Sequence, residues 1–251
     1  MSLSPRIKNW ILDLLFPPYC IGCGGEGNLL CFTCRSSLAT IPPSCFVCKK
    51  WIPETLRINP HTNFGVGVNP GRTCKSCRKS SKIYAFLSPF AFDQEVVREL
   101  IHALKYRRIR NLGVLLGGLL AEHCRTFKVN FPKNLMVIPL PLHKSRKRIR
   151  GFNQAELISA GFLSAMNSPQ FRLQSDLLTR AKNTKPQVEL SGEERRQNVV
   201  GAFAVSDPNA VKGKQILLVD DVKTTGATLE EAARVLKEAG AKRVWAMTVA
   251  H

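Results

Sequence analysis

At 251 residues with 44% hydrophobic content, the chain can bury one full core and carry a small extra module. Its 37 basic residues against 18 acidic ones give a net charge of +19. That excess points to a polyanionic partner, nucleic acid or an anionic membrane surface, since a polyphosphate pocket uses only about three or four cations. No apolar run approaches the ~18 residues that a transmembrane helix needs.

Residues 6–16 carry Ile7, Trp10, Ile11, Leu14 and Leu15 at helical spacing. Lys8 and Asp13 interrupt the pattern, and Phe16-Pro17-Pro18 ends it without a small-residue cleavage site. The stretch therefore reads as a short helix rather than a signal peptide, and the chain as cytoplasmic.

Eight of the nine cysteines form four Cys-x-x-Cys pairs: Cys20/Cys23, Cys31/Cys34, Cys45/Cys48 and Cys74/Cys77. Each such turn points two sulfurs at one tetrahedral ion, and two turns complete a Cys₄ shell. A redox pair accounts for one motif, not four in a row. The expectation is two structural Zn²⁺ sites. Sequential grouping closes the shorter loops; interleaving the first pair with the third also satisfies the ligand count. Residues 1–82 are thus expected to be an amino-terminal helix and a double Cys₄ zinc-ribbon module folded by its metal. Within it, residues 53–72 read as an inserted loop rich in Asn, Gly and Pro. Cys124, unpaired in an apolar helix pattern, reads as core.

Residues 83–251 change to the texture of an α/β domain. A strand or hairpin over 84–92 precedes a helix over 94–106, whose buried face is Val97, Leu100, Ile101 and Leu104. Residues 105–110, Lys-Tyr-Arg-Arg-Ile-Arg, suit phosphates and a stacked base, but a solvated turn explains them equally well. A second apolar helix covers 112–124 and a buried strand 135–138. The most basic stretch follows, Lys144-Ser-Arg-Lys-Arg-Ile-Arg150, closed by Gly151-Phe152-Asn153-Gln154. Five cations in seven residues, just past a strand, suit a polyphosphate at the ligand edge of a sheet. A helix over 155–166, a strand near 177–179 and a polar loop over 182–194 come next. Ser191 and Glu194 form a capping-box pattern there. Strands are expected again at 203–205, 215–219 and 244–249, with a helix over 229–239. Strands alternating with helices imply a mostly parallel sheet flanked by helices.

The thirteen residues 216–228, Ile-Leu-Leu-Val-Asp-Asp-Val-Lys-Thr-Thr-Gly-Ala-Thr, combine a buried strand, two carboxylates, a small-residue turn and a helix start. Gly226 allows close backbone approach, and the amides of the turn can converge on one phosphate. Asp220 and Asp221 beside it can accept hydrogen bonds from a sugar diol. A response-regulator receiver is excluded because too few residues follow Asp220. A Walker loop is excluded because Gly213-Lys214 lacks its preceding glycine. The stretch resembles the phosphoribosyl pyrophosphate (PRPP) motif of type I phosphoribosyltransferases.

With the cysteine-rich head, Arg150-Gly-Phe-Asn-Gln154 and Val219–Thr228 in this order, the whole chain resembles the ComF (competence protein F) family of bacteria. Thr184, Gln187, Leu190, Ser191, Arg195 and Asn198 look like that family's middle block. The resemblance implies a phosphoribosyltransferase-like fold and a role in natural transformation, acting on imported single-stranded DNA in the cytosol beside the competence helicase ComFA. Carried over, Asp220 and Asp221 would hold the ribose hydroxyls of PRPP. Lys223, Thr224, Thr225, Gly226, Ala227 and Thr228 would cradle its 5-phosphate, and Mg²⁺ would be held largely by the ligand's own oxygens. Lys105, Arg146, Arg150, Asn153 and Gln154 are candidates for pyrophosphate or DNA. Some purine-type relatives place an Asp where Thr224 stands, so a catalytic base would have to come from Lys182, Lys185 or Glu189. An active transferase of nucleotide salvage or biosynthesis, with an unidentified acceptor, is the alternative reading.

Overall fold

The computed structural model describes residues 17–51, 70–182 and 197–251. The amino-terminal helix, most of the 53–72 loop and the Ser191/Glu194 capping box lie outside the described residues. The elements are α1 (Phe32–Ser36), β1 (Ile83–Leu87), α2 (Glu95–Lys105), α3 (Asn111–Thr126), β2 (Leu135–Pro139), α4 (Lys144–Arg150), α5 (Gln154–Met166), β3 (Phe171–Leu173), β4 (Leu178–Arg180), β5 (Phe203–Val205), α6 (Pro208–Val211), β6 (Gln215–Val222), α7 (Ala227–Glu238) and β7 (Arg243–Ala250).

Five strands form a parallel sheet in the order β1-β7-β6-β2-β3. Its central strands are apolar on both faces because helices or ribbon cover both. Leu217 and Val219 join Val137, Trp245 and Met247 in the core shared with α2, α3 and α5. Ile216 and Leu218 point the other way, with Ile138, Val244 and Ala246, into the core under α7. Cys124 is buried in the first of these cores, as its apolar setting predicts.

Four strands depart from the sequence reading. β4 and β5 are not strands of the main sheet; they pair antiparallel with each other as a separate ribbon. Each is three residues long and satisfies its backbone on the other, across the 181–202 connection. β3 has no counterpart in the reading, because three residues carry no periodicity. β6 runs on through the acidic pair to Val222, since β7 continues beside it and pairs Asp220 with Thr248 and Val222 with Ala250.

The basic stretch, to which the sequence reading assigned no helix, forms α4. The His143 ring accepts from the Ser145 amide at 3.3 Å to start α4, and Gly151, at φ +83°, ends it by donating to the Lys147 carbonyl.

Helices α3 and α5 meet backbone to backbone. A Cβ on Gly117 would lie 2.3 Å from Phe162 N and 2.4 Å from Ile158 O. Gly117→Ala therefore forces the pair apart, and overpacking of this kind costs about 1–3 kcal/mol. A thermal melt should show Tm reduced by roughly 3–10 °C. An unchanged Tm would mean that the two helices separate freely.

Candidate functional site

The eight paired cysteines converge in two groups, Cys20/Cys23/Cys31/Cys34 and Cys45/Cys48/Cys74/Cys77, each with its donor atoms within 4.8 Å of one another. This is the sequential grouping, not the interleaved one. The sulfurs of Cys23 and Cys31 are 3.7 Å apart, and those of Cys48 and Cys74 are 3.8 Å apart. A tetrahedral zinc with arms of about 2.3 Å has edges of about 3.8 Å, so the donor set fits that ion. Amides also turn in on the sulfurs, Cys31 N–H to Cys20 Sγ at 3.3 Å and Cys74 N–H to Cys45 Sγ at 3.4 Å. Burial opposes ionisation of Cys20, yet the amides of Cys31, Cys23 and Gly22 bring its thiol down to about 6. The Ser76 hydroxyl, then the Cys77 amide, bring Cys74 down to about 6. The Cys31 and Cys74 side chains push the thiols of Cys34 and Cys77 the other way, up to about 12, so a metal entering either group must displace protons.

The second site lies at the carboxyl edge of the sheet, where β6 ends and α7 begins. Asp220 and Asp221 are not an equivalent pair. Asp221 is buried, with Oδ1 2.7 Å from Lys105 Nζ at the end of α2. Its Oδ2 has no hydrogen-bond partner among the described residues. Lys105, expected at a pyrophosphate, is instead committed to this carboxylate. Asp220 accepts from the Asp221 amide at 2.8 Å and makes no ion pair among the described residues. Burial, then the charge of Asp221, raise its carboxyl to about 7, against the opposing pull of Lys105 and Arg180.

Past the strand, Thr224 and Thr225 are exposed, and Gly226 takes φ +83° as the N-cap of α7. Among the described residues nothing accepts from the amides of Thr224, Thr225 and Gly226, while Thr225 Oγ1 accepts from Ala227 N–H at 3.3 Å. Amides without acceptors at the positive end of a 12-residue helix can take an anion, so the turn is a candidate anion cup. Lys223 does not belong to its wall: the amide donates to the Ala250 carbonyl at 2.9 Å and the side chain is buried over aromatic rings. Burial and the charge of Lys49 lower its ammonium to about 8.

Arg146 and Arg150 of α4 share this edge with Arg180. Burial, then the charge of Arg150, lower the pKa of Arg146; burial, then the charge of Arg146, lower that of Arg180, against the pull of Asp220. Arg146 thus feels the charge of Arg150, and Arg180 feels both Arg146 and Asp220. Arg180 stacks on Phe203 at 5.3 Å. Sequence reasoning saw Arg180 only as a strand end, because nothing local shows that residue 180 reaches 146 and 220.

Asn153 and Gln154 are structural here rather than ligand-facing. Asn153 is buried; its Oδ1 accepts from Ala155 N–H to cap α5 and its Nδ2 donates to the Leu140 carbonyl, both at 3.1 Å. Gln154 accepts from the Arg150 guanidinium, which it orients. The 105–110 turn is braced on α4: Arg108 donates to the Ile149 carbonyl at 2.7 Å, and Arg150 lies 5.8 Å over the Tyr106 ring.

Residues 169–251 match the phosphoribosyl transferase domain family. The chain is 30% identical over 181 residues to competence protein F of Haemophilus influenzae, covering 69% of this chain and 77% of that one. It is 28% identical over 223 residues to DNA utilization protein YhgH of Salmonella typhi, covering 87% and 96%. Competence protein ComFC of Bacillus subtilis is 26% identical over 220 residues, covering 84% and 79%. Among solved structures, glutamine PRPP amidotransferase from B. subtilis aligns over 54% of this chain and 25% of its own, with 20% identity and a TM-score of 0.34.

Two outcomes test the roles drawn here. An acid whose folded pKa lies near 7, against 3.8 in the unfolded chain, costs stability as pH rises from about 4. The cost levels off above pH 7. Asp220→Asn should therefore raise Tm by about 3–6 °C at pH 8, with the gain vanishing near pH 4. A gain independent of pH would contradict the assignment. Asn153→Ala removes a helix cap and leaves a buried carbonyl unpaired, a loss of about 1–3 kcal/mol. Melting should fall accordingly, while anion binding at the folded protein's α7 cup is retained.

Proposed function

The chain belongs to the ComF family, and from that premise we propose that it is a competence-type DNA-uptake factor that handles imported single-stranded DNA in the cytosol and binds PRPP at the carboxyl edge of its sheet. The carrying observation is the run of amides without acceptors among the described residues before α7, just past Asp220, whose carboxylate acts on Arg180 in a chain of charges that continues through Arg146 to Arg150. In this reading the cup takes the 5-phosphate, Asp220 accepts from the ribose diol and the arginines meet the pyrophosphate. Mg²⁺ comes with the ligand and supplies charge neutralisation between its oxygens. Asp221 holds Lys105 in place behind them.

The DNA-binding half of the reading rests on charge distribution. The second cysteine group and its flanks, residues 40–51 and 70–82, contain Lys49, Lys50, Arg72, Lys75, Arg78, Lys79 and Lys82 and no acidic residue. The first group, residues 17–38, has one Arg and one Glu. Trp51, 60% exposed beside Lys49 and Lys50, offers a ring on which a base can stack. Lys147 and Arg148 of α4 are exposed and add to the basic surface. Both cysteine groups hold zinc in this proposal, and ComFA is the partner that the family suggests.

Affinity for a single-stranded oligonucleotide should fall steeply with salt, by about 0.7 log unit per phosphate contacted for each tenfold rise in concentration. Lys147→Glu with Arg148→Glu should weaken it about tenfold or more while PRPP binding by calorimetry persists. Salt-independent binding, or none, would reject the DNA role. Titrating PRPP and oligonucleotide together tests whether they compete.

Turnover with an unidentified acceptor is the second reading, favoured by the coexistence of Asp220 and the arginine set. Lys185 and Glu189 lie outside the described residues, and Lys182 is exposed at their border. Pyrophosphate release from PRPP in an acceptor screen, abolished in Asp220→Asn, would establish it; PRPP binding without turnover would remove it.

A further inference from the structure

The second cysteine group is built into the turn that precedes α7. Phe46 sits between Cys45 and Cys48, yet its side chain is buried rather than exposed. Its ring meets Phe86 of β1 edge to face, with centroids 5.4 Å apart. Lys223 Nζ lies 4.9 Å from the Phe46 centroid and 5.2 Å from that of Phe86. A Cβ on Gly226 would stand 2.8 Å from Phe46 Cζ and 3.1 Å from Lys223 Cε. Ring and lysine therefore close over the α-carbon that caps the helix. On the far side, Glu230 in the first turn of α7 accepts from the Ser81 hydroxyl at 2.7 Å and from the Lys82 amide, a few residues past Cys77.

The first cysteine group has no such connection among the described residues. It packs through Ile21, Leu29 and Leu30 into the core of α2 and α3, and Arg35 pairs with Glu122 at 2.6 Å. The molecule thus carries two similar metal-binding groups, of which one abuts the anion cup.

We propose that Phe46 and Lys223 are positioning residues that couple the second cysteine group to the cup, so that metal held by Cys45, Cys48, Cys74 and Cys77 sets the affinity for a sugar phosphate. Metal in the first group does not. The coupling rests on the reading of the cup as a sugar-phosphate site. Losing the metal frees the Cys45–Cys48 turn, withdraws the ring from Gly226 and lets Lys223 swing away from its cage. Linkage makes the effect reciprocal: a ligand in the cup must retain the second metal by the same factor.

Zinc release from the full-length, zinc-loaded chain into excess chelator tests this, with ribose 5-phosphate as the probe. Cys48→Ser assigns the release phase of the second group. Saturating ribose 5-phosphate should slow that phase by about threefold to tenfold and leave the first group's phase unchanged. Phe46→Ala should weaken ribose 5-phosphate binding by about tenfold and abolish the selective protection, and Phe46→Leu, which refills the space, should restore much of both. Equal slowing of both phases, or no slowing while calorimetry shows binding, overturns the coupling. No binding by the unsubstituted chain removes the sugar-phosphate reading and the coupling together. Should Phe46→Ala fail to fold, the release comparison on the unsubstituted chain still decides.

Discussion

Everything at the site depends on β6 being held between two strands up to Val219 and by β7 alone through the acidic pair. β2 pairs with it from Ile216 to Val219, and β7 pairs with it from Gln215 to Val222. A strand fixed on both sides as far as Val219, and then by β7, delivers its last residues to a defined place at the sheet edge. The chain must then leave the sheet through a sharp turn, and Gly226, in a backbone conformation that other residues reach only with strain, makes that turn. Parallel strands converge their carboxyl ends on one edge, so α4, the β4–β5 ribbon and α7 all deliver their groups there.

Several features of that edge cost the folded state stability. Asp220 is held with its carboxyl near 7, Asp221 leaves one buried oxygen unpartnered among the described residues, and guanidiniums sit within reach of one another. The hydrophobic cores on either face of the sheet carry this without help from the site. In the proposed reading, a polyanion with sugar hydroxyls would offset these costs.

The two cysteine groups look alike in sequence and differ in their surroundings. The first is nearly neutral and leans on the helical face of the domain, through Leu30 and Arg35. The second is strongly basic and inserts Phe46 into the core beneath α7. A module with so little core of its own gains its orientation from such anchors.

The sequence by itself determined the chemistry of each part. Four Cys-x-x-Cys pairs, a buried strand ending in two acids, a Thr-Thr-Gly-Ala-Thr turn and a cationic stretch are local patterns, and local patterns carry their own physical reason. It also determined most helices and the sheet's central strands, because their apolar periodicity is long enough to read. Only the tertiary structure decided which residues meet. It separated the settings of Asp220 and Asp221, paired Lys105 with Asp221, buried Lys223 over aromatic rings and turned Asn153 inward as a cap. It also brought in Arg180. These outcomes depend on pairing register and packing between segments far apart in the chain. No window of neighbouring residues contains them, because a side chain's partner is set by where the sheet and its covering layers place it.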